Sequence, residues 1–83
     1  MSTHEMHKMI LALMDIPQLF GEKVRSIRKK QQLSQDELAD QCGLHRTYIG
    51  AVERGERNIT LINAEKIANA LQVSFSELVS RDD

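Results

Sequence analysis

The sequence predicts an all-α domain in which one additional N-terminal helix precedes five compact helices. Apolar residues recur at three- and four-residue steps along the chain, which is the spacing of helices that bury one face. Ser–Glu pairs three residues apart, typical of helix N-termini, precede three of these stretches: Ser2 and Glu5, Ser34 and Glu37, Ser74 and Glu77. No segment alternates apolar and polar residues as a half-buried strand does.

Length and composition limit the classes of protein to which the chain can belong. At 83 residues it has room for one small core. No apolar run approaches the ~20 residues of a membrane span, no signal peptide is recognisable, and a single cysteine, Cys42, excludes an internal disulfide. We therefore expect a cytoplasmic protein that binds no membrane. We expect no enzyme, cofactor or metal site, because no nucleophile–base pair or phosphate loop is present and His4 and His7 lack a third ligand.

Residues 1–15 are predicted to form an N-terminal helical extension. Its apolar stripe, which needs burial against the domain or against a second copy, consists of Met6, Met9, Ile10 and Leu13. The next helix, at about 17–31, has a cap at Asp15 and Pro17 in its first turn. Its inward residues are Phe20, Val24 and Ile27, and the basic residues that we expect on its outer face are Lys23, Arg28, Lys29 and Lys30.

Residues 35–55 fit two short helices joined by a tight turn. Ala39 falls where the second helix crosses closest, and Gly43 falls where the first helix must stop and the chain reverse at positive φ. The other inward positions are Leu38, Leu44, Ile49 and Val52, whereas Arg46, Thr47 and Gly50 face outward with Tyr48 at the border. This pattern predicts a helix-turn-helix, whose second helix enters the DNA major groove.

Two further helices complete the predicted domain. Thr60 caps a helix that ends near residue 71, with inward Leu61, Ala64, Ile67, Ala68 and Leu71. A short last helix follows Ser74 and carries Phe75, Leu78 and Val79. We therefore assign residues 16–80 to a DNA-binding and dimerisation domain and residues 81–83 to a frayed tail.

The run Arg-Thr-Tyr-Ile at 46–49, followed by Glu-Arg-Gly-Glu-Arg-Asn at 53–58, resembles a known family. From about residue 19 to 80 the chain is similar to the phage-repressor-like helix-turn-helix regulators of the Cro/C1 (XRE) type, and most like the controller proteins of restriction–modification systems. The resemblance implies a homodimer that binds pseudo-palindromic operators. It also implies control of its own gene, with activation at low and repression at high concentration.

The outward face of the second helix of the motif supplies the predicted base contacts. The planar fork of Arg46 fits guanine O6 and N7; the alternative is a phosphate contact or a solvated charge. Thr47 faces a thymine methyl or a phosphate, or is a plain surface residue. Tyr48 donates to a phosphate or only packs.

Other DNA contacts are expected nearby. The resemblance implies that Gln35 holds a phosphate and braces the second helix, and that Arg57 and Asn58 reach bases and backbone; a flexible polar loop is the alternative for that pair. Lys23 and Arg28 are expected to contact phosphates or to be solvated. The net charge is −1, but residues 21–57 hold eight Lys and Arg against six Asp and Glu, which suits a modest basic face.

A second copy and a polymerase are the predicted protein partners. One motif reads too few base pairs for specificity, so twofold pairing should place two recognition helices one DNA turn apart. The expected dimer interface is Ile62, Asn63, Lys66, Phe75 and Leu78, with burial in the domain's own core as the alternative for the apolar ones. Asp36 and Asp40 occupy the position at which phage activators present acids to the RNA polymerase sigma subunit.

Three other functions fit the same sequence. A prophage repressor or an antitoxin-type autorepressor carries the same motif, and the antitoxin would need residues 1–15 for its toxin. A protein-interaction adaptor without DNA binding belongs to another class, but it has no use for a polar reading face.

Overall fold

The computed structural model describes residues 1–56 and 59–82 of the chain, and these are helical or irregular, without a strand. Six helices follow one another: α1 (Thr3–Leu13), α2 (Ile16–Lys30), α3 (Gln35–Cys42), α4 (Arg46–Glu53), α5 (Leu61–Leu71) and α6 (Phe75–Leu78). This confirms the all-α prediction of an N-terminal helix and five further helices. No helix in these ranges is long and apolar enough to cross a membrane.

Local capping signals explain where the helices begin. Ser34 and Ser74 each form a reciprocal capping box with the Glu three residues later, as predicted. Asp15 forms a third box with Gln18, whose backbone N–H donates to Asp15 at 2.9 Å. The predicted box at Ser2 is only half formed, because the Glu5 carboxylate accepts the Ser2 hydroxyl hydrogen instead of the backbone N–H.

The aliphatic core lies between α2, α3, α4, α5 and α6. Its members with almost no exposed surface include Phe20, Val24, Leu38, Ile49, Val52, Ile67, Leu71 and Leu78. At Gly21, α2 approaches the C-terminal end of α4 so closely that a Cβ would overlap the carbonyl oxygens of Val52 and Glu53. Only glycine therefore permits this contact between the two helices.

Three apolar assignments differ from the sequence prediction. Leu61 is 79% exposed because it stands in the first turn of α5, before the buried face of that helix begins at Ala64. Leu78, predicted at the dimer surface with burial in the domain's own core as the alternative, is completely buried in that core, so the alternative is confirmed. Ile27, predicted to be buried, is only partly covered and packs at the edge of the core.

The N-terminal helix differs from the prediction in which of its apolar residues are buried. The predicted stripe of Met6, Met9, Ile10 and Leu13 is largely exposed, whereas Leu11 is the residue of α1 that is buried. Of the two predicted ways to bury this stripe, packing against the body of the same chain is therefore wrong, and packing against a second copy stays a prediction.

The C-terminal segment is not frayed at Arg81 and Asp82. Arg81 Nη1 donates to the carbonyl of Leu11 at 3.2 Å and to that of Met14, at the end of α1. A cation at a helix C-terminus satisfies carbonyl groups that have no partner within the helix. Lys23 Nζ donates to the carbonyl of Asp82 at 3.1 Å.

Candidate nucleic-acid interface

The turn between α3 and α4 has the predicted helix-turn-helix geometry. Gly43 ends α3 with φ +69°, in the left-handed region that favours glycine. The backbone N–H of Leu44 donates to the carbonyl of Ala39 at 3.0 Å, which closes the end of α3. Ala39 is 3% exposed, as expected for a small residue between crossing helices. α4 is thereby set at the surface beside α3.

His45 caps α4, the second helix of the motif. Its Nδ1 accepts a hydrogen bond from the backbone N–H of Thr47 at 3.1 Å. The cap satisfies one of the N–H groups that every helix leaves without a partner in its first turn. The side chains that follow His45 then project from a fixed helix start.

Arg46 and Thr47 are exposed at the N-terminal end of α4. The Arg46 side chain retains 63% of its accessible surface, so the domain does not cover it. Among the described residues it pairs with Asp36, whose Oδ1, in the first turn of α3, lies 3.3 Å from Arg46 Nε. The structure thus joins a predicted base-reading residue to a predicted polymerase contact.

Tyr48 links α4 to α5 while its ring packs against the core. Asn63 Nδ2 donates to the Tyr48 hydroxyl oxygen at 3.2 Å. Because the hydroxyl acts as acceptor here, its own hydrogen is still available for a phosphate. Asn63, predicted in the dimer interface, is half-buried behind the recognition helix in this way.

A buried ion pair fixes α4 against α2. Arg28 donates from Nε to Glu53 Oε2 at 2.6 Å and from Nη2 to Glu53 Oε1 at 2.9 Å, and both side chains are nearly inaccessible to solvent. Arg28 Nη1 also donates to the carbonyl of Leu33 at 2.8 Å. The bond to Glu53 raises the pKa of Arg28 above its ordinary value, so the guanidinium is always charged. The prediction of Arg28 as an exposed phosphate contact is therefore wrong, because its guanidinium is used inside the domain.

Helical spacing contains the signal that would have identified this pair. Arg28 follows the buried Val24 by four residues, and Glu53 follows the buried Ile49 by four residues. Each charge therefore lies on the inward face of its own helix. Sequence reasoning missed Glu53 and placed Arg28 outside because it grouped Arg28 with its exposed basic neighbours.

Gln35 extends the buried pair to α3. Its Nε2 donates to Glu53 Oε1 at 3.1 Å, which links the first helix of the motif to the second. The side chain of Gln35, with that of Arg54, lies next to Gly50, and Gly50 is buried. The prediction that Gly50 faces outward is wrong because these two side chains cover it.

Of the remaining predicted DNA contacts, Lys23 is described by the structure, whereas Arg57 and Asn58 are not. Lys23 is half-buried and its ammonium bonds to the C-terminal segment, so the structure does not bring it to the α3–α4 pair. Arg57 and Asn58 lie outside the residues that the structure describes. Arg25, Lys29 and Lys30 on α2 are exposed.

Three apolar side chains are exposed on α5 and α6, namely Leu61, Ile62 and Phe75. Ile62 is 69% exposed, and Phe75 is 44% exposed although its ring contacts that of Phe20 at a centroid distance of 6.3 Å. Lys66 is exposed on α5 as well. Of the predicted dimer residues, Ile62, Lys66 and Phe75 are thus accessible.

The acidic side chains of α3 are exposed at its outer face. Asp36, Glu37 and Asp40 all face solvent. Hydrogen bonds from the backbone N–H and hydroxyl of Ser34 lower the pKa of the Glu37 carboxyl, so it caps the helix as an anion.

Known proteins share this arrangement. The Helix-turn-helix family profile matches residues 24–78, from within α2 to the end of α6. Control protein C.SmaI of Serratia marcescens is 49% identical over 71 residues, which cover 86% of this chain and 84% of that protein. Control protein C.BamHI of Bacillus amyloliquefaciens is 55% identical over 62 residues, covering 74% and 76%.

A solved structure agrees with the sequence relatives. The crystal structure of the restriction-modification controller protein C.AhdI from Aeromonas hydrophila has a TM-score of 0.73 to this chain at 45% identity, covering 75% of this chain and 94% of that one. The chain therefore belongs to the helix-turn-helix family of DNA-binding transcription regulators, is not an enzyme, and resembles the controller proteins within that family.

Proposed function

We propose that this helix-turn-helix protein binds a pseudo-palindromic operator as a homodimer and regulates its own gene within a restriction–modification system. It would activate transcription at low concentration and repress it at high concentration. The observation that carries the proposal is the exposed N-terminal end of α4, where Arg46 and Thr47 project from a helix braced by buried polar contacts. The similarity to control proteins at 49% and 55% identity supports the restriction–modification setting.

Direct base reading is assigned to Arg46 and Thr47. Residues at the N-terminal end of a recognition helix contact base edges when that helix lies in the major groove. The guanidinium fork of Arg46 matches the two acceptors of guanine, and the methyl and hydroxyl of Thr47 fit a thymine methyl or a phosphate. Both side chains are accessible for these contacts.

Phosphate contacts are assigned to Tyr48 and Gln35 at the two sides of the motif. The Tyr48 hydroxyl has a hydrogen left to donate, and the Gln35 amide, already joined to Glu53, lies in the first turn of α3. Such contacts fix the register of a protein on DNA without reading sequence. For Arg57 and Asn58, contacts to bases and backbone are proposed from the family resemblance alone.

The exposed apolar side chains of α5 and α6 are proposed to form the dimer interface. Leu61, Ile62 and Phe75 present apolar surface, with Lys66 beside them on α5. Burial of this surface between two copies is favourable, and twofold symmetry would place the two α4 helices about 34 Å apart on one side of the DNA. Activation further implies a contact with the RNA polymerase sigma subunit, proposed at Asp36 and Asp40 on α3.

Replacement of Arg46 with alanine tests base reading. Footprinting on DNA upstream of the protein's own gene defines the operator, and fluorescence anisotropy then compares that duplex with a scrambled duplex of equal composition. Arg46→Ala should cost about 1–3 kcal/mol on the operator and much less on the scrambled duplex, with the thermal melting curve unchanged. Arg25→Ala removes an exposed arginine of α2 and is the charge-matched control.

The outcomes distinguish base reading from phosphate contact for Arg46, and they also distinguish the proposed function from its competitors. Equal losses on both duplexes would make Arg46 a phosphate contact, and no loss at all would contradict the choice of α4 as reading helix. An unmutated protein that binds no duplex would favour the adaptor function. An operator upstream of a toxin or phage gene, instead of an endonuclease gene, would favour the antitoxin or prophage repressor.

A further inference from the structure

We propose that Asp36 is a positioning residue that aims the Arg46 guanidinium at the guanine edge and thereby sets the specificity of DNA reading. The inference rests on the proposed function, in which Arg46 reads a base. Asp36 is on α3 and Arg46 is on α4, so the contact joins the first turns of the two helices across the motif.

The carboxylate of Asp36 lies beside Nε of the Arg46 guanidinium. Asp36 Oδ1 lies 3.3 Å from Arg46 Nε, so the carboxylate and the guanidinium form an ion pair at that nitrogen. An arginine carries five N–H donors in a planar fork, and four of them are on the two terminal nitrogens. Attraction at Nε leaves the edge formed by the two terminal nitrogens for DNA. That edge is the one that matches guanine O6 and N7.

The Asp36 side chain is short and has few conformations, whereas the Arg46 side chain is long and has many. Asp36 is in the first turn of α3, where the partial positive charge of a helix N-terminus favours an anion, and Ser34 and Glu37 cap that same turn. A long exposed arginine would otherwise explore many rotamers, with the phosphates as strong competitors for its charge. Asp36 therefore restricts Arg46 and offsets part of its attraction to the DNA backbone.

The size of the effect follows from exposure. The side chains of Arg46 and Asp36 retain 63% and 71% of their accessible surface, and ion pairs this exposed change an equilibrium by about 1.5- to 5-fold. We expect the ratio of operator affinity to scrambled-duplex affinity to fall by about two- to fivefold when the charge of Asp36 is removed. The change is small, but it lowers operator affinity relative to non-specific affinity, whereas a general charge effect would change both affinities alike.

The test is a double-mutant cycle measured by anisotropy on the operator duplex and the scrambled duplex. Asp36→Asn removes the charge and keeps the side-chain shape. Asp40→Asn, one turn later on the same exposed face, removes an equal charge and measures the general effect of reduced repulsion from DNA. Asp36→Asn should lower the specificity ratio relative to Asp40→Asn, Asp36→Glu should restore part of it, and Asp36→Asn in an Arg46→Ala background should leave the ratio unchanged.

A modified operator tests directly whether Asp36 affects the contact between Arg46 and guanine. Replacing each guanine in turn with 7-deazaguanine, which lacks the N7 acceptor, should weaken unmutated protein most at the base that Arg46 reads. That penalty should shrink in Asp36→Asn. An equal fall in ratio for Asp36→Asn and Asp40→Asn, or an undiminished deazaguanine penalty, would overturn the inference while Arg46→Ala still loses operator affinity. If Arg46→Ala loses nothing, the proposed base reading fails instead.

Discussion

Replacing Arg28 with methionine would leave a carboxylate inside the domain without its counter-charge. Glu53 now accepts from Arg28 Nε at 2.6 Å and Nη2 at 2.9 Å, and its side chain is only 3% exposed. Methionine keeps the apolar stem and the approximate length, so the variant removes charge and hydrogen bonds with little loss of packing. The carbonyl of Leu33 also loses its donor.

The expected destabilisation is a large fraction of the total stability. Removing one partner of a buried ion pair costs about 3–5 kcal/mol. We expect the lower end, about 3 kcal/mol, because Gln35 still donates to Glu53 at 3.1 Å. A domain of this length has roughly 4–12 kcal/mol of stability, so the melting temperature should fall by roughly 12–24 °C.

Urea unfolding followed by circular dichroism measures the effect, at one fixed protein concentration because dimerisation adds to apparent stability. Lys29→Met, at the exposed neighbour, should change stability by no more than about 0.5 kcal/mol. Combining Arg28→Met with Glu53→Leu should recover stability relative to Arg28→Met alone, because no buried charge is left unpaired. A loss below about 1 kcal/mol for Arg28→Met, or strict additivity of the two changes, would refute the reasoning.

Two further predictions concern the surface. Ile62→Asp should shift the protein toward monomer in sedimentation without unfolding it, because Ile62 is 69% exposed; an unchanged dimer would place the interface elsewhere. The pKa of Glu37 is lowered by hydrogen bonds from Ser34, so its capping stabilises the fold above the ordinary Glu pKa of about 4.3 and is lost as pH falls through the lowered value. The melting temperatures of unmutated protein and Glu37→Gln should therefore differ at neutral pH and converge in acid, and a difference that is constant with pH would contradict this role.

Features that depend on three or four neighbouring residues were predictable from the sequence. The caps at Ser34, Thr60 and Ser74 are each satisfied by a group three residues later, and the left-handed turn at Gly43 follows from one residue type. These signals fix the helix starts and the turn, and the apolar spacing then fixes which faces meet. The all-α fold and the position of the motif follow from them.

Features that depend on a distant partner were not predictable in the same way. The attachment of α1 uses Arg81, seventy residues after Leu11, and no local pattern relates the two. Arg28 is buried because it pairs with Glu53, and the prediction missed this because it grouped Arg28 with the neighbouring lysines of α2. Asp36 and Arg46 each have a plausible separate role in the sequence, and only the geometry of the motif brings their side chains together.

The ion pairs Arg28–Glu53 and Asp36–Arg46 differ in burial, so we expect the first to act on stability and the second on DNA reading. Arg28 and Glu53 are desolvated and joined by two hydrogen bonds, so their loss should unfold the domain before it changes which bases are read. Asp36 and Arg46 are solvated, so their separation should leave the melting temperature almost unchanged and act only on selectivity. Measuring both quantities on both variants therefore tests whether the buried pair holds α4 and the exposed pair aims it, because each role predicts a change in one quantity and constancy in the other.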